Sequence, residues 1–266
     1  MRLGCRKMKL VDAHVHLSDS QYTGQTDMLV QDAKSSGVVA LVSNAMDYLT
    51  SIEALNLKKK NPELIYVAMG IHPWNVNVLK EGELDQTLKL IEEQHQKRNI
   101  VAIGEIGLDC KYESIWNQQL LIFDKMLRQA EKLELPVIIH SRGTTELVVE
   151  MLPSYNLKRV LLHWFSHPMP ALATAIKHGY YITEGPPAVY SAGIREVVSN
   201  TPLTSLLTET DGPVLFRKNP FCGQITKPSF IREVVYAIAD VKKVPAEAAA
   251  EQIAKNFEAF FNVKLG

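Results

Sequence analysis

Short apolar runs rich in Val, Ile and Leu recur along the chain at residues 10–16, 38–45, 64–73, 100–109, 136–142, 159–166, 179–185 and 206–213. Each has the length and continuity of a strand buried on both faces. Between them, residues 26–36, 84–97, 116–133, 144–152 and 170–178 place apolar side chains at intervals of three and four, the period of a helix with one buried face. Strand and helix patterns alternate eight times without a Gly/Ser-rich linker or a charge block, and further helices are predicted over 228–241 and 245–261. The series predicts an α/β protein: a (β/α)8 TIM barrel forming one domain over residues 10–266, with an extra C-terminal helix. Ser36-Gly37 and His178-Gly179 mark helix ends. An open doubly wound sheet would want a Gly-rich phosphate loop after its first strand, where this chain has His14-Val15-His16.

Polar residues repeat where the apolar runs end. His14 and His16 fall on the first run, His72 on the third, Glu105 on the fourth, His140 on the fifth, His163 on the sixth and Asp211 on the eighth. One such histidine is more often a hydrogen-bonded core residue than a ligand, but the recurrence makes independent accidents implausible. Alternation along a strand turns His14 and His16 to the same face, and a TIM barrel gathers all its C-terminal strand ends at one mouth. Six N and O ligands then meet: His14, His16, Glu105, His140, His163 and Asp211. Such a set suits Zn²⁺, Mn²⁺, Co²⁺ or Fe²⁺ better than Ca²⁺. Glu105, from a middle strand between Gly104 and Gly107, is the natural carboxylate to bridge two cations; an ion pair with Arg142 is the alternative, but it leaves four histidines unexplained.

Composition narrows the partners. Lys plus Arg and Asp plus Glu number 29 each, so no global positive field holds a polyanion, and nucleic acid would have to be gripped locally. The three cysteines, Cys5, Cys110 and Cys222, are odd in number and widely spaced, which argues against a disulfide framework and fits a reducing cytoplasm. Residues 1–9 read as a short basic extension carrying Arg2, Arg6, Lys7 and Lys9 rather than a signal peptide. No apolar run approaches the roughly 18 residues of a membrane span.

The chain resembles the TatD family of metal-dependent deoxyribonucleases, a branch of the amidohydrolase-like barrels. The motifs are Val11-Asp12-Ala13-His14-Val15-His16-Leu17, Gly70-Ile71-His72-Pro73, Gly104-Glu105-Ile106-Gly107-Leu108-Asp109, Ile139-His140-Ser141-Arg142, Leu162-His163-Trp164-Phe165 and Glu209-Thr210-Asp211-Gly212-Pro213, with Ala254-Lys255-Asn256 in the closing helix. The resemblance implies one metal on His14, His16 and Asp211, a second on His140 and His163, and Glu105 between them. It also implies phosphodiester hydrolysis at DNA ends with two divalent ions, Zn, Mn or Mg. Three segments depart from the family pattern: Cys110-Lys111 after Asp109, Trp164-Phe165-Ser166-His167 after His163, and residues 184–189 after the seventh strand.

Asp211 and Glu105 are accordingly the catalytic candidates, Asp211 as general base or as ligand alone. Arg142, two residues beyond His140, offers a planar fork for phosphate, with a pair to Glu105 or Asp109 as the alternative. His72 is read as substrate-facing, or as a turn histidine. Asp12 and Asp109 orient ligands or cap turns, and Trp74, Trp164 and Phe165 stack a base or simply pack. Lys58-Lys59-Lys60 reads as a solvated helix end, and His167 and Glu184 receive no role. The expected function is a divalent-metal-dependent hydrolase, a phosphodiesterase or deoxyribonuclease acting on nucleic-acid ends. Its rivals are hydrolysis of a carboxylic ester, lactone, amide or aminoacyl-tRNA bond, and a noncatalytic metal-binding barrel.

Overall fold

The computed structural model describes residues 8–166 and 168–266, so most of the basic extension, Cys5 and His167 lie outside the described residues. Eight strands, β1 (Leu10–Val15), β2 (Val38–Asn44), β3 (Ile65–Met69), β4 (Ala102–Gly107), β5 (Val137–His140), β6 (Val160–Leu162), β7 (Tyr181–Glu184) and β8 (Leu206–Thr208), pair in that order, each parallel to the next. The seam between first and last is closed beyond the end of β8: Asp211 donates its amide to the His14 carbonyl at 2.9 Å and His16 donates to Gly212 at 2.8 Å. Asp12 staples the same seam, accepting from the amide and hydroxyl of Thr210 at 3.1 and 2.6 Å. Burial pushes its carboxyl up to about 8 against these hydrogen bonds. The chain folds as a TIM barrel.

Helices α1 (Thr26–Ser36), α2 (Tyr48–Lys60), α3 (Glu83–Gln96), α4 (Trp116–Leu133), α5 (Thr145–Met151), α6 (Met169–Lys177), α7 (Ala192–Asn200), α8 (Ile231–Lys242) and α9 (Ala246–Phe261) cover the outside. α1 stops at Gly37, whose φ of 88° lets its amide turn back onto the Ala33 and Lys34 carbonyls. α2 starts on a capping box between Asp47 and Thr50 and ends in the three lysines. The expected closing-helix residue Asn256 is buried and donates its amide to the Leu203 and Leu206 carbonyls, both at 2.7 Å, which fixes α9 against the start of β8. Among the described residues no helix is long and apolar enough to cross a membrane.

Strands are shorter than the apolar runs suggested. β3 ends at Met69, so His72 does not lie on a strand; it caps the short 3₁₀ turn Pro73–Val78, where Pro73 is tolerated because the first helical amide has no partner in any case. His163 and Asp211 likewise lie just beyond β6 and β8. His14, Glu105 and His140 stay on their strands, while His16, His72, His163 and Asp211 occupy the segments that leave the strand ends, where backbone direction is freer than in the ladder.

Candidate metal centre

At the mouth of the barrel, five imidazoles converge on one carboxylate. Glu105, 1% exposed on β4, sets Oε2 at 3.1 Å from His14 Nε2 and 3.2 Å from His16 Nε2. Its other oxygen, Oε1, lies 2.8 Å from His163 Nε2, 2.9 Å from His140 Nδ1 and 3.2 Å from His72 Nε2. Asp211 closes the first group, with Oδ1 at 3.5 Å from both His14 Nε2 and His16 Nε2. Two glycines permit the close approach: a Cβ on Gly107 would stand 1.9 Å from the His140 carbonyl, and one on Gly104 2.7 Å from the Ile138 Cβ. Asp211 has a φ of 49°, a region that Asp enters more readily than most residues.

The outward ring nitrogens decide which atom faces the centre. His16 Nδ1 lies 3.0 Å from the Asn44 carbonyl, which can only accept, so the neutral ring carries its proton on Nδ1 and turns the Nε2 lone pair to the centre. His140 Nε2 meets Asp109 at 2.9 Å, leaving Nδ1 toward Glu105. His163 Nδ1 faces Glu209 Oε2 at 3.4 Å without a directed hydrogen bond, and that oxygen accepts from Thr183 at 2.5 Å. A carboxylate behind an imidazole can set its tautomer, as Asp109 does for His140. His72 differs: its Nδ1 accepts the Trp74 amide at 3.1 Å, so the neutral ring carries its proton on Nε2 and presents the centre with a donor. Although His72, Glu105 and His140 are close enough to share an ion, this tautomer makes His72 a hydrogen-bond donor to an oxygen.

The arrangement fits cations. Nε2 of His14 and Nε2 of His16 lie 3.2 Å apart, and Glu105 Oε2, though near both, is buried without a properly directed hydrogen bond. Ring nitrogens and carboxylate oxygens crowded this closely are what a metal-ligand shell presents, and His14, His16 and Asp211 are close enough to hold one ion. Burial opposes ionisation of Glu105, but His72, His163 and His14 around it hold its carboxyl well below the usual range. Burial opposes the charge of His16 too, yet Asp211 and Glu105 push it up to about 10, so a proton takes the place a cation would hold. Burial lowers His72 to about 4 and keeps it neutral.

All six expected ligands thus come together, with His72 beside them. Arg142 does not reach Glu105; it pairs with Asp109, Nη2 to Oδ2 at 2.8 Å and Nε to Oδ1 at 3.1 Å. Phe165 is 1% exposed and has no face to offer, and Trp164 packs on Phe216 with ring centroids 5.9 Å apart. Glu209 and the Asn44 carbonyl had no place in the sequence-based site. Glu184 is fully buried with both oxygens unpartnered, and burial, reinforced by Glu209, raises its carboxyl well above the usual range, so it is held neutral.

Residues 11–262 match the family described as TatD related DNase. A metal-dependent hydrolase of Escherichia coli, YjjV, is 29% identical over 96% of this chain and 98% of its own. Its crystal structure superposes with a TM-score of 0.90, covering 97% of this chain and 100% of that one. The 3'-5' ssDNA/RNA exonuclease TatD of Erwinia tasmaniensis is 30% identical over 96% of this chain and 100% of its own. A phosphotriesterase homology protein of Escherichia coli, at 13% identity and a TM-score of 0.70, shares the fold alone.

Proposed function

The chain belongs to the TatD-related DNase family and is a metal-dependent hydrolase, and on that premise we propose that it removes nucleotides from nucleic-acid ends, using two divalent ions that share Glu105. The division of the two Glu105 oxygens between the His14–His16–Asp211 group and the His140–His163 group carries this proposal. With only nitrogen and carboxylate oxygen at the centre, and Cys110 and Cys222 both free and exposed, the donors suit Zn²⁺, Mn²⁺ or Mg²⁺. Those two free thiols accord with a reducing, cytoplasmic setting. When bound, the ions would polarise a phosphoryl oxygen, lower the pKa of water and neutralise the leaving oxygen.

The remaining work falls to side chains. Asp211 turns Oδ1 to the imidazole pair, which leaves Oδ2 to accept the proton of the attacking water. His72 Nε2–H is placed to donate to a phosphate or leaving-group oxygen. Asp109 keeps His140 oriented; despite its burial, hydrogen bonds from His140 and Trp74 hold its carboxyl below the usual range, so it stays an acceptor. Arg142 is anchored through Nε and Nη2, leaving Nη1 outside that pair for phosphate.

Hydrolysis of a carboxylic ester is the rival, favoured by the balance of 29 basic and 29 acidic residues. The test is the metal-loaded protein against single-stranded DNA and a carboxylic ester, with Arg142→Ala alongside. Cleavage of DNA is expected, and Arg142→Ala should lose on the order of 10- to 100-fold in kcat/KM on DNA, the worth of a charge-assisted hydrogen bond, with a much smaller loss on the ester. Hydrolysis of the ester alone would overturn the proposal. Equal losses on two active substrates would confine Arg142 to its pair with Asp109.

A further inference from the structure

On the His72 and His140 side of the centre, one buried carboxylate locks an indole, a guanidinium and an imidazole together. Asp109 accepts from Trp74 Nε1 at 2.6 Å, from Arg142 Nε at 3.1 Å and from His140 Nε2 at 2.9 Å. Arg142 Cζ lies 5.2 Å from the centroid of the Trp74 ring, within the range of a cation–π stack. Tyr112 continues the surface, its ring 6.1 Å from Trp74, and Lys111 places its ammonium 5.8 Å from the Tyr112 ring. These groups are not packed away: Trp74 is 37% exposed and the Arg142 side chain 45%. Nor are they remote, since the indole centroid is 4.8 Å from that of His72 and 6.1 Å from that of His140.

Aromatic faces interleaved with cations are the surface on which unpaired bases stack while their phosphates are neutralised. We infer that Trp74, with Arg142 and Tyr112, forms the binding position for the nucleobase adjoining the scissile bond, an assignment that rests on the phosphodiesterase function proposed above. The hydrogen bond to Asp109 ties the indole to the carboxylate that also holds His140, so a base stacked on this aromatic face lies beside the Glu105 centre. Other approaches are less suited. A cleft of about 920 Å³ opens at Cys110 and Gly143, but it carries Glu113 and Glu146, whose charges repel a phosphate backbone. Across the mouth, Trp164 is half-buried and packed on Phe216.

The test uses single-stranded oligothymidylates that end in thymidine or in an abasic tetrahydrofuran nucleotide, with Trp74→Leu and Trp74→Phe compared with the parent protein. Both substitutions remove the indole N–H, but only Leu removes the aromatic face. The parent should favour the base-bearing end by roughly tenfold or more in kcat/KM, the scale of one base–aromatic stack. Trp74→Phe should keep most of that ratio and Trp74→Leu should bring it close to one. Binding of a labelled oligothymidylate to the chelated, metal-free protein, read by anisotropy, should weaken in the same order. Equal cleavage of both ends by the parent, or equal collapse of the ratio in Phe and Leu, overturns the stacking position while leaving the phosphodiesterase function intact. If the metal-loaded parent cleaves neither oligonucleotide, the function itself fails and the subsite with it.

Discussion

Replacing Glu105 by Ala should empty both metal positions and reduce hydrolysis by on the order of 10³-fold or more, because the several kcal/mol that bound cations contribute to transition-state stabilisation depend on this carboxylate. Oε2 faces His14 and His16 while Oε1 faces His140 and His163, so no other described side chain contacts both groups through opposite atoms. The imidazoles would remain, but they would have lost the anion that draws them together. Elemental analysis of the purified variant checks the point independently of activity. Two ions per chain in Glu105→Ala would show that each imidazole group binds on its own, and the bridge would have to be given up.

Asp211→Asn should act differently. The amide keeps one oxygen to face His14 and His16 but no longer accepts a proton at the position of Oδ2. Turnover should fall by about 10²- to 10⁴-fold, the range of general-base catalysis, while KM and metal content change much less. Metal content and kcat must come from the same preparation, since lost ligation would imitate lost base catalysis. A variant that holds its metal and turns over near the parental rate would reduce Asp211 to a ligand.

The barrel was legible because its strands are continuous apolar runs, and the centre because polar residues interrupt those runs at their ends. α2 was harder to see: only Ser51 and Ala54 are fully buried and three lysines fill its last turn, so its apolar stripe is faint. His72 was placed on a strand because the apolar run continues to Pro73, but that proline starts a 3₁₀ turn and moves the histidine to its cap. Glu209 was within reach, since it stands two residues before Asp211 and alternation along a strand would turn both to one side. The role of Asn44 could not be read from its letter, because it acts through its carbonyl. For Arg142, the alternative of a pair with Asp109 describes the geometry found. The link from Trp74 to the same carboxylate joins two loops and follows no spacing that a sequence displays.

The central claim, two ions sharing Glu105 in a phosphodiesterase, is tested most directly by stripping the protein with chelator and titrating Mn²⁺ back. Bound metal per chain and cleavage of single-stranded DNA are followed on the same samples. The metal-free protein should be inactive, and activity should climb to its plateau as occupancy approaches two ions per chain. DNA cleavage by protein verified as metal-free, or a plateau reached at a single ion, would contradict it.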